Sequence, residues 1–209
     1  MLKNSWIAIF ALKLMLAAPS EAQEPVLDYS ASLAAYNAGD YRTALNNWHS
    51  LAEQGHPASQ CSLGYAYEHG FGVPQDYSEA IRWYKAAADK GDARAQAFLG
   101  QMYEKGLGAP QDYMEAIRWY TVAAKQSHGW SQSKLGEIYR RGQGVPKDFV
   151  SAHMWFNIAS AVGDPMASFR RAELKKSMTL VQVAEAKARA RVCMSSGYDD
   201  CKKPHLRSR

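Results

Sequence analysis

The sequence is poor in the residues that most catalytic and metal sites require. Its 209 residues include three cysteines, and only Cys61 falls in the central part of the chain. The six histidines are scattered without the spacing of zinc ligands, and we expect His69 and His153 at the surface. No His-Glu-x-x-His, no Gly-x-Ser-x-Gly and no suitably placed Ser-x-x-Lys nucleophile is present. We therefore predict no catalytic residue, no metal and no cofactor.

β-Branched residues are also sparse, which disfavours a sheet, whereas alanine, tyrosine and tryptophan are frequent and suit closely packed helices. The formal net charge is +5, and the basic excess lies mostly in the last third of the chain. These basic residues are not interleaved with aromatic residues in one motif, so we predict no binding to nucleic acid. Both an acidic partner and an ordinary solvated surface are compatible with the charge.

The first 22 residues have the pattern of a secretory signal peptide. Lys3 precedes an apolar run from Trp6 to Leu16, which Lys13 interrupts. We predict cleavage after Ala22, with Ala18 as a second choice. An uncleaved anchor is the alternative, but the run is short and carries a charge. We expect a periplasmic or secreted protein with no stable membrane span after cleavage.

The central region repeats with a period of 36 residues and no gaps. Each copy contains a Leu-Gly pair, a tyrosine, a Gly-x-Gly-x-Pro loop, an Asp-aromatic pair and a Trp-aromatic pair. The Leu-Gly pairs are Leu63-Gly64, Leu99-Gly100 and Leu135-Gly136, and the tryptophans are Trp83, Trp119 and Trp155. So many matches at one offset indicate stacked units that share a continuous core.

Each unit is predicted to form two antiparallel helices. The Gly-x-Gly-x-Pro loop ends the first helix, and Asp76 caps the second, with Glu79 three residues later completing a capping box. Glycine within a helix costs about 1 kcal/mol relative to alanine. Gly64 therefore suggests that another backbone passes close by. The repeated tryptophans are expected to fill the space between successive pairs.

The motif A-x-x-Q-x-x-L-G-x-x-Y, followed by G-x-G-V-P-x-D-Y and A-x-x-W-Y, resembles the Sel1-like repeat, a relative of the tetratricopeptide repeat. This resemblance implies an all-α, right-handed solenoid that acts as a protein-interaction scaffold. Some secreted members carry a disulfide in each repeat, but the repeats here contain only Cys61. We therefore carry over neither those disulfides nor the weak penicillin-binding activity of such members.

The predicted organisation follows from these boundaries. It comprises a signal peptide (1–22), a shortened tetratricopeptide-like repeat (28–56), three Sel1-like repeats (57–92, 93–128 and 129–164), C-terminal capping helices with a disulfide loop (165–201) and a basic tail (202–209).

Cys193 and Cys201 bracket seven residues that include a glycine, so the chain can fold back between them. In an oxidising compartment we expect this pair to form a disulfide. Half a metal site is the alternative, although no further histidine or cysteine lies nearby at zinc spacing. Cys61 is expected to remain a buried or half-buried free thiol.

Partner binding is predicted on the concave face, which the first helices line. Invariant residues build the scaffold, so two rows that vary between copies are the candidates. They are Tyr65, Gln101 and Glu137 in one row, and Glu68, Glu104 and Arg140 in the other. We expect them to hold an extended peptide or a helix of an envelope protein. The alternatives are a cell-wall-binding protein or weak β-lactamase-like hydrolase, and a structural subunit of a larger complex.

Overall fold

The computed structural model describes residues 28–201, a range that contains ten helices and no strand. The predicted signal peptide and basic tail lie outside these residues. The helices are α1 (Tyr29–Asn37), α2 (Tyr41–Glu53), α3 (Pro57–His69), α4 (Tyr77–Asp89), α5 (Ala93–Lys105), α6 (Tyr113–Lys125), α7 (Gly129–Arg141), α8 (Phe149–Ala161), α9 (Pro165–Lys175) and α10 (Leu180–Ser195).

The first eight helices form four pairs, each made of two consecutive helices. From α3 onward, each first helix packs against the second helix of its own pair and against the second helix of the preceding pair. This alternation stacks the pairs into a single array with one continuous core. The prediction of an all-α solenoid of antiparallel helix pairs is confirmed.

Aspartate side chains cap the N-termini of the second helices, as predicted. The carboxylate of Asp76 accepts hydrogen bonds from the backbone amides of Ser78 and Glu79 at 2.9 and 3.1 Å. Asp112 and Asp148 cap α6 and α8 in the same way. Two otherwise unpaired amides of the first turn are thereby satisfied.

The predicted capping box is wrong, because Glu79 does not return to the backbone of Asp76. The Asp76 amide donates instead to the carbonyl of Tyr67 at 2.9 Å. Glu79 accepts hydrogen bonds from Arg82, whose guanidinium lies 4.1 Å from the ring centroid of Trp83. The glutamate therefore positions an arginine over the tryptophan.

The glycines within the first helices make room for a ring rather than for a backbone, so that expectation is also wrong. A Cβ atom on Gly64 would lie 2.5 Å from Cδ1 of Tyr84, which is on the second helix of the same pair. Gly100 meets Tyr120 and Gly136 meets Phe156 in the same manner. The missing side chain lets a fully buried aromatic ring cross directly over the helix.

The tryptophans fill the space between successive pairs, as predicted. Trp83 shares a buried cluster with Trp48 and Ala52 of the preceding pair. Trp119 and Trp155 each join a cluster that includes residues of the pair before their own. The core is thus distributed along the array, and these three clusters each cross a joint between pairs.

The last two helices do not form a fifth pair. Both α9 and α10 pack against α8, and they have little contact with each other. The predicted face of α10, made of Val183, Ala186, Ala190 and Cys193, is buried. The following turn returns Cys201 to Cys193, and the structure joins the two as a disulfide.

His153 is 1% exposed, so the prediction that it lies at the surface is wrong. It occupies the position that Ile81 and Ile117 have in the preceding copies. It lies on α8, the second helix of the last pair, against which both α9 and α10 pack. Its Nδ1 atom is buried and has no hydrogen-bond partner among residues 28–201.

Candidate interaction surface

One side of the first helices α3, α5 and α7, and of α9 in the same register, carries four rows of residues that are 36 positions apart and partly or fully exposed. We call this surface the first-helix face. It consists of Ala58, Arg94, Trp130 and Met166; Ser62, Phe98, Lys134 and Arg170; Tyr65, Gln101, Glu137 and Glu173; and His69, Lys105 and Arg141. Within each helix the rows follow one another by four, three and four residues, which keeps them on one side.

An aromatic cavity lies on this face between α1, α3 and α5, and its volume is about 220 Å³. The Tyr65 ring is 5.9 Å from the Phe98 ring and 4.1 Å from the His69 ring, between centroids. The lining residues are Tyr29, Leu33, Tyr36, Trp48, Cys61, Ser62, Tyr65, Arg94 and Phe98. The cavity therefore offers aromatic contact area beside one guanidinium, the combination typical of binding hot spots.

Cys61 forms part of the cavity wall, and its side chain is buried and free of a disulfide. Burial, followed by the nearby Asp92 carboxylate, raises the pKa of the Cys61 thiol to about 12. The thiol is therefore protonated at neutral pH and contributes an apolar surface to the cavity.

A second cavity lies on the same face between α5, α7 and α9, with a volume of about 290 Å³. Its lining is mostly charged, in contrast to the aromatic cavity. The lining residues are Glu104, Trp130, Ser133, Lys134, Glu137, Arg141, Asp164, Met166 and Arg170. We call it the charged groove.

Three arginines surround the carboxylate of Glu137 in this groove. Arg140 donates to it through Nη2 at 2.7 Å. The Nε atoms of Arg141 and Arg170 lie 3.2 and 3.3 Å from its oxygens. Because three guanidinium charges face one carboxylate, this group retains an excess of two positive charges.

The first predicted row, made of Tyr65, Gln101 and Glu137, lies on the first-helix face. Tyr65 lines the aromatic cavity, and Glu137 lines the charged groove. Gln101 is half-buried on α5 between them in register. Their role in partner binding stays a prediction.

In the second predicted row, Glu68 and Glu104 hold the scaffold together, and Glu104 also lines the charged groove. Glu68 is 7% exposed and accepts a hydrogen bond from the Tyr84 hydroxyl at 2.7 Å. Glu104 accepts one from Tyr120 at 2.6 Å and also pairs with Lys134 at 3.1 Å. Each glutamate lies four residues after the glycine over which the tyrosine ring crosses. The role of this row in partner binding stays a prediction.

Burial and the adjacent carboxylates raise the pKa of Tyr84 and Tyr120. Both hydroxyls therefore stay protonated and act as hydrogen-bond donors to Glu68 and Glu104. Arg140, the third member of the row, has no such partner and binds Glu137 instead.

The prediction missed most of the residues that line the two cavities. Phe98, Lys134 and Arg170 occupy one row at the same 36-residue offset, and Arg94, Trp130 and Met166 occupy another. Both rows vary between copies, so the signal was present. To find these rows from the sequence, one needs the angular position of each residue around the helix in addition to its variability.

Neither a metal site nor a membrane-spanning helix is found in residues 28–201. No three histidine, cysteine, aspartate or glutamate side chains of this range are grouped so that they would hold a metal ion. The helices of the same range are too short or too polar to cross a bilayer.

Comparison with known proteins gives a consistent result. The family model described as the Sel1 repeat matches residues 57–92, 93–128 and 131–164. A comparison with proteins of curated function finds no match.

Two solved structures have the same fold. A Sel1 repeat protein from Oxalobacter formigenes is 34% identical over 69% of this chain and 59% of its own, with a TM-score of 0.65. A protective antigen present in uropathogenic Escherichia coli strains, which displays an SLR fold, is 29% identical over 84% of this chain and 42% of its own, with a TM-score of 0.68. The chain thus spans about three fifths and two fifths of the lengths of these proteins. The three matched repeats and the shared solenoid fold show that the chain belongs to the Sel1 repeat family.

Proposed function

We propose that this protein is an exported scaffold of the cell envelope that binds a segment of another protein on its first-helix face. Sel1 repeat solenoids are generally protein-interaction scaffolds. The observation that carries the proposal is the aromatic cavity formed by Tyr36, Tyr65 and Phe98 between consecutive first helices. Rigid aromatic rings around a preformed cavity give large contact area at a low entropic cost of binding.

Two features support export. The first 22 residues have the charge, apolar run and small-residue cleavage pattern of a secretory signal. The Cys193–Cys201 disulfide is of a kind that persists in oxidising compartments. Mass spectrometry of the protein from its native host tests this part: export predicts a mature chain that begins after Ala22 or after Ala18.

The binding proposal is tested by affinity capture from the cell envelope after mild crosslinking. The unaltered protein is compared with a Tyr65→Ala/Phe98→Ala variant, which empties the aromatic cavity. A Met114→Ala/Leu180→Ala variant is the matched control, because it removes exposed apolar side chains from outside this face. A protein that is captured by the parent and the control and is lost by the folded cavity variant supports the proposal. Equal capture by all three contradicts it.

The alternatives of cell-wall binding and of weak β-lactamase-like hydrolysis stay predictions from the sequence. Turnover of a chromogenic β-lactam by the pure protein would promote the hydrolase alternative.

A further inference from the structure

The first-helix face changes character along the array. Its α1–α5 part is aromatic, whereas its α5–α9 part is charged. A partner that lies along this face therefore meets two different chemical environments, and the charged groove indicates what kind of chain fits there.

The arginines of the groove have unused hydrogen-bonding capacity. A guanidinium group carries five N–H donors. Arg141 and Arg170 each approach Glu137 through Nε, and no other acceptor among residues 28–201 lies within hydrogen-bond or ion-pair distance of either. Their side chains are 57% and 35% exposed. Their remaining N–H groups thus have no acceptor among residues 28–201, and both side chains reach the solvent.

The other carboxylates of the groove have hydrogen-bond partners of their own and do not compete for Arg141 and Arg170. Glu104 is bound by Tyr120 and Lys134. Asp164 accepts hydrogen bonds from the backbone amides of Met166 and Ala167, where it caps α9, and from the hydroxyl of Ser133. Lys134 balances Glu104, whereas the donors to Asp164 are neutral and leave its charge in place. The lining residues and Arg140 together therefore carry one positive charge in excess.

Apolar side chains stand beside the arginines. Trp130 on α7 is 39% exposed and Met166 on α9 is 52% exposed, and both line the groove. Phe169, one residue from Arg170 on the same helix, is 61% exposed. A ligand that pairs with the guanidiniums is consequently in reach of exposed apolar surface.

We propose that the charged groove binds an acidic protein segment, in which aspartate or glutamate side chains pair with Arg141 and Arg170 and a neighbouring apolar side chain packs against Trp130 and Met166. This inference rests on the proposed function and specifies its partner. Carboxylates match the fork geometry of arginine and form bidentate pairs with it.

A peptide fits this groove better than a continuous polyanion does. The groove contains the carboxylates of Glu104, Glu137 and Asp164. A nucleic-acid backbone or an anionic bilayer presents closely spaced negative charges, which these carboxylates repel. A peptide can place its acidic residues opposite the arginines and other residues opposite the glutamates.

The test starts from a displayed library of short random peptides selected on the full-length protein. The selected peptides are synthesised in two further versions, one with every Asp and Glu changed to the amide and one with the apolar residues changed to serine. We expect enrichment of acidic peptides that contain an apolar residue, and binding that is weakened about tenfold or more in either altered version. Binding should also weaken as salt is raised.

Charge reversal in the protein locates the site. The Arg141→Glu/Arg170→Glu variant should lose the peptide, whereas Lys85→Glu/Arg191→Glu, which makes the same change of charge at exposed positions of α4 and α10, should retain it. If the double reversal does not fold, Arg141→Gln/Arg170→Gln replaces it, with an expected loss of about tenfold.

Several results would overturn the inference. They are selection of neutral or basic peptides, selection of no peptide, binding that is indifferent to the reversal, and equally effective competition by single-stranded DNA or by phosphatidylglycerol vesicles. The experiment distinguishes failure of this inference from failure of the proposed function. A partner that depends on Tyr65 and Phe98 but not on Arg141, Arg170 or its own acidic residues leaves the scaffold proposal standing and removes this one.

Discussion

The hydroxyl of Tyr84 donates a hydrogen bond to the carboxylate of Glu68 at 2.7 Å across the pair α3/α4. Tyr120 and Glu104 repeat this relationship at 2.6 Å across α5/α6. In α7/α8 both partners change together, since Phe156 replaces the tyrosine and Arg140 replaces the glutamate. The donor and the acceptor are therefore present or absent as a unit, which identifies the bond as part of the scaffold.

Removing the hydroxyl from this bond should destabilise the protein. Tyr84→Phe leaves the buried Glu68 carboxylate without its donor, and hydrogen bonds to charged groups contribute about 1.5–3 kcal/mol. We expect a loss of this size in the free energy of unfolding, measured by urea denaturation. Tyr41→Phe is the matched control, because the Tyr41 hydroxyl makes no hydrogen bond within residues 28–201, and it should change little.

Replacing both partners should cost much less than the sum of the single changes. When Glu68→Leu is combined with Tyr84→Phe, no buried polar group is left unpaired, as in the pair α7/α8. Additive losses in this double-mutant cycle would show that the bond is not the source of the effect.

Adding a methyl group at Gly100 should destabilise the protein although alanine is the better helix former. The new Cβ atom would lie 2.6 Å from the Tyr120 ring, which is fully buried and anchored by Glu104. Overpacking of this kind costs about 1–3 kcal/mol, more than the gain of about 1 kcal/mol in helix propensity. Thermal unfolding of Gly100→Ala measures the balance.

Gly129→Ala provides the comparison for this substitution. The nearest atom to its added Cβ is Cγ2 of Val162 at 3.1 Å, and Val162 is a partly exposed side chain that can move. This variant should stay close to the parent in stability. A Gly100→Ala protein as stable as Gly129→Ala would contradict the packing argument.

Thiol reactivity should distinguish the free Cys61 from Cys193 and Cys201, which are joined as a disulfide. The thiolate is the reactive form, and burial raises the pKa of Cys61 to about 12, so the native unreduced protein should react very slowly with Ellman's reagent near pH 8. Denaturation without reduction should release one thiol, because Cys193 and Cys201 are joined. Three thiols under those conditions would refute the disulfide, and a fast native reaction would refute the burial of Cys61.

Stability should fall on acidification because of His153. Burial first, and then the charges of Arg171, Lys187 and Lys175, lower the pKa of its imidazole from the ordinary value of 6.5. As the pH falls below about 6.5, the unfolded chain binds a proton that the folded protein does not, so the free energy of unfolding decreases.

His153→Ile restores the residue found at positions 81 and 117 and should remove this part of the pH dependence. Its stability near pH 7 should equal or exceed that of the parent, since a buried unpaired nitrogen is eliminated. Urea titrations from about pH 7.5 to 5 measure the effect, with the exposed His69→Gln variant as control. Parallel pH profiles for the parent and His153→Ile would contradict the assignment.

The fold was predictable from the sequence because its determinants are local and repeated. Asp76 caps a helix, Gly70 takes a positive φ of 71° after α3, and Trp83 joins two pairs, each within one 36-residue copy. The role of Glu79 was not predictable in this way, since the capping motif and the ion pair with Arg82 compete for the same carboxylate.

The candidate site was predicted only in part, because the variability of a position does not tell which way its side chain points from the helix. Tyr65 and Glu68 both precede the loop and both belong to rows that vary, yet they differ by three residues, or about 60° around the helix. That rotation turns Tyr65 toward the aromatic cavity and Glu68 toward the ring over Gly64. The spacing of four between Gly64 and Glu68 carried this information.

The turn after α10 gives the array a property that stacked pairs alone lack. Side chains of neighbouring units mostly meet at sequence separations near 30–36, but Asp199 pairs with Lys125 across 74 residues and the Tyr198 hydroxyl accepts from Gln132 across 66. In an array of stacked repeats, stability is approximately the sum of the contributions of the units and of the interfaces between nearest neighbours. Here the C-terminal turn also contacts α6 and α7, so we expect the pairs α5/α6 and α7/α8 to unfold more cooperatively than the pair α1/α2, which has a neighbouring pair on one side only.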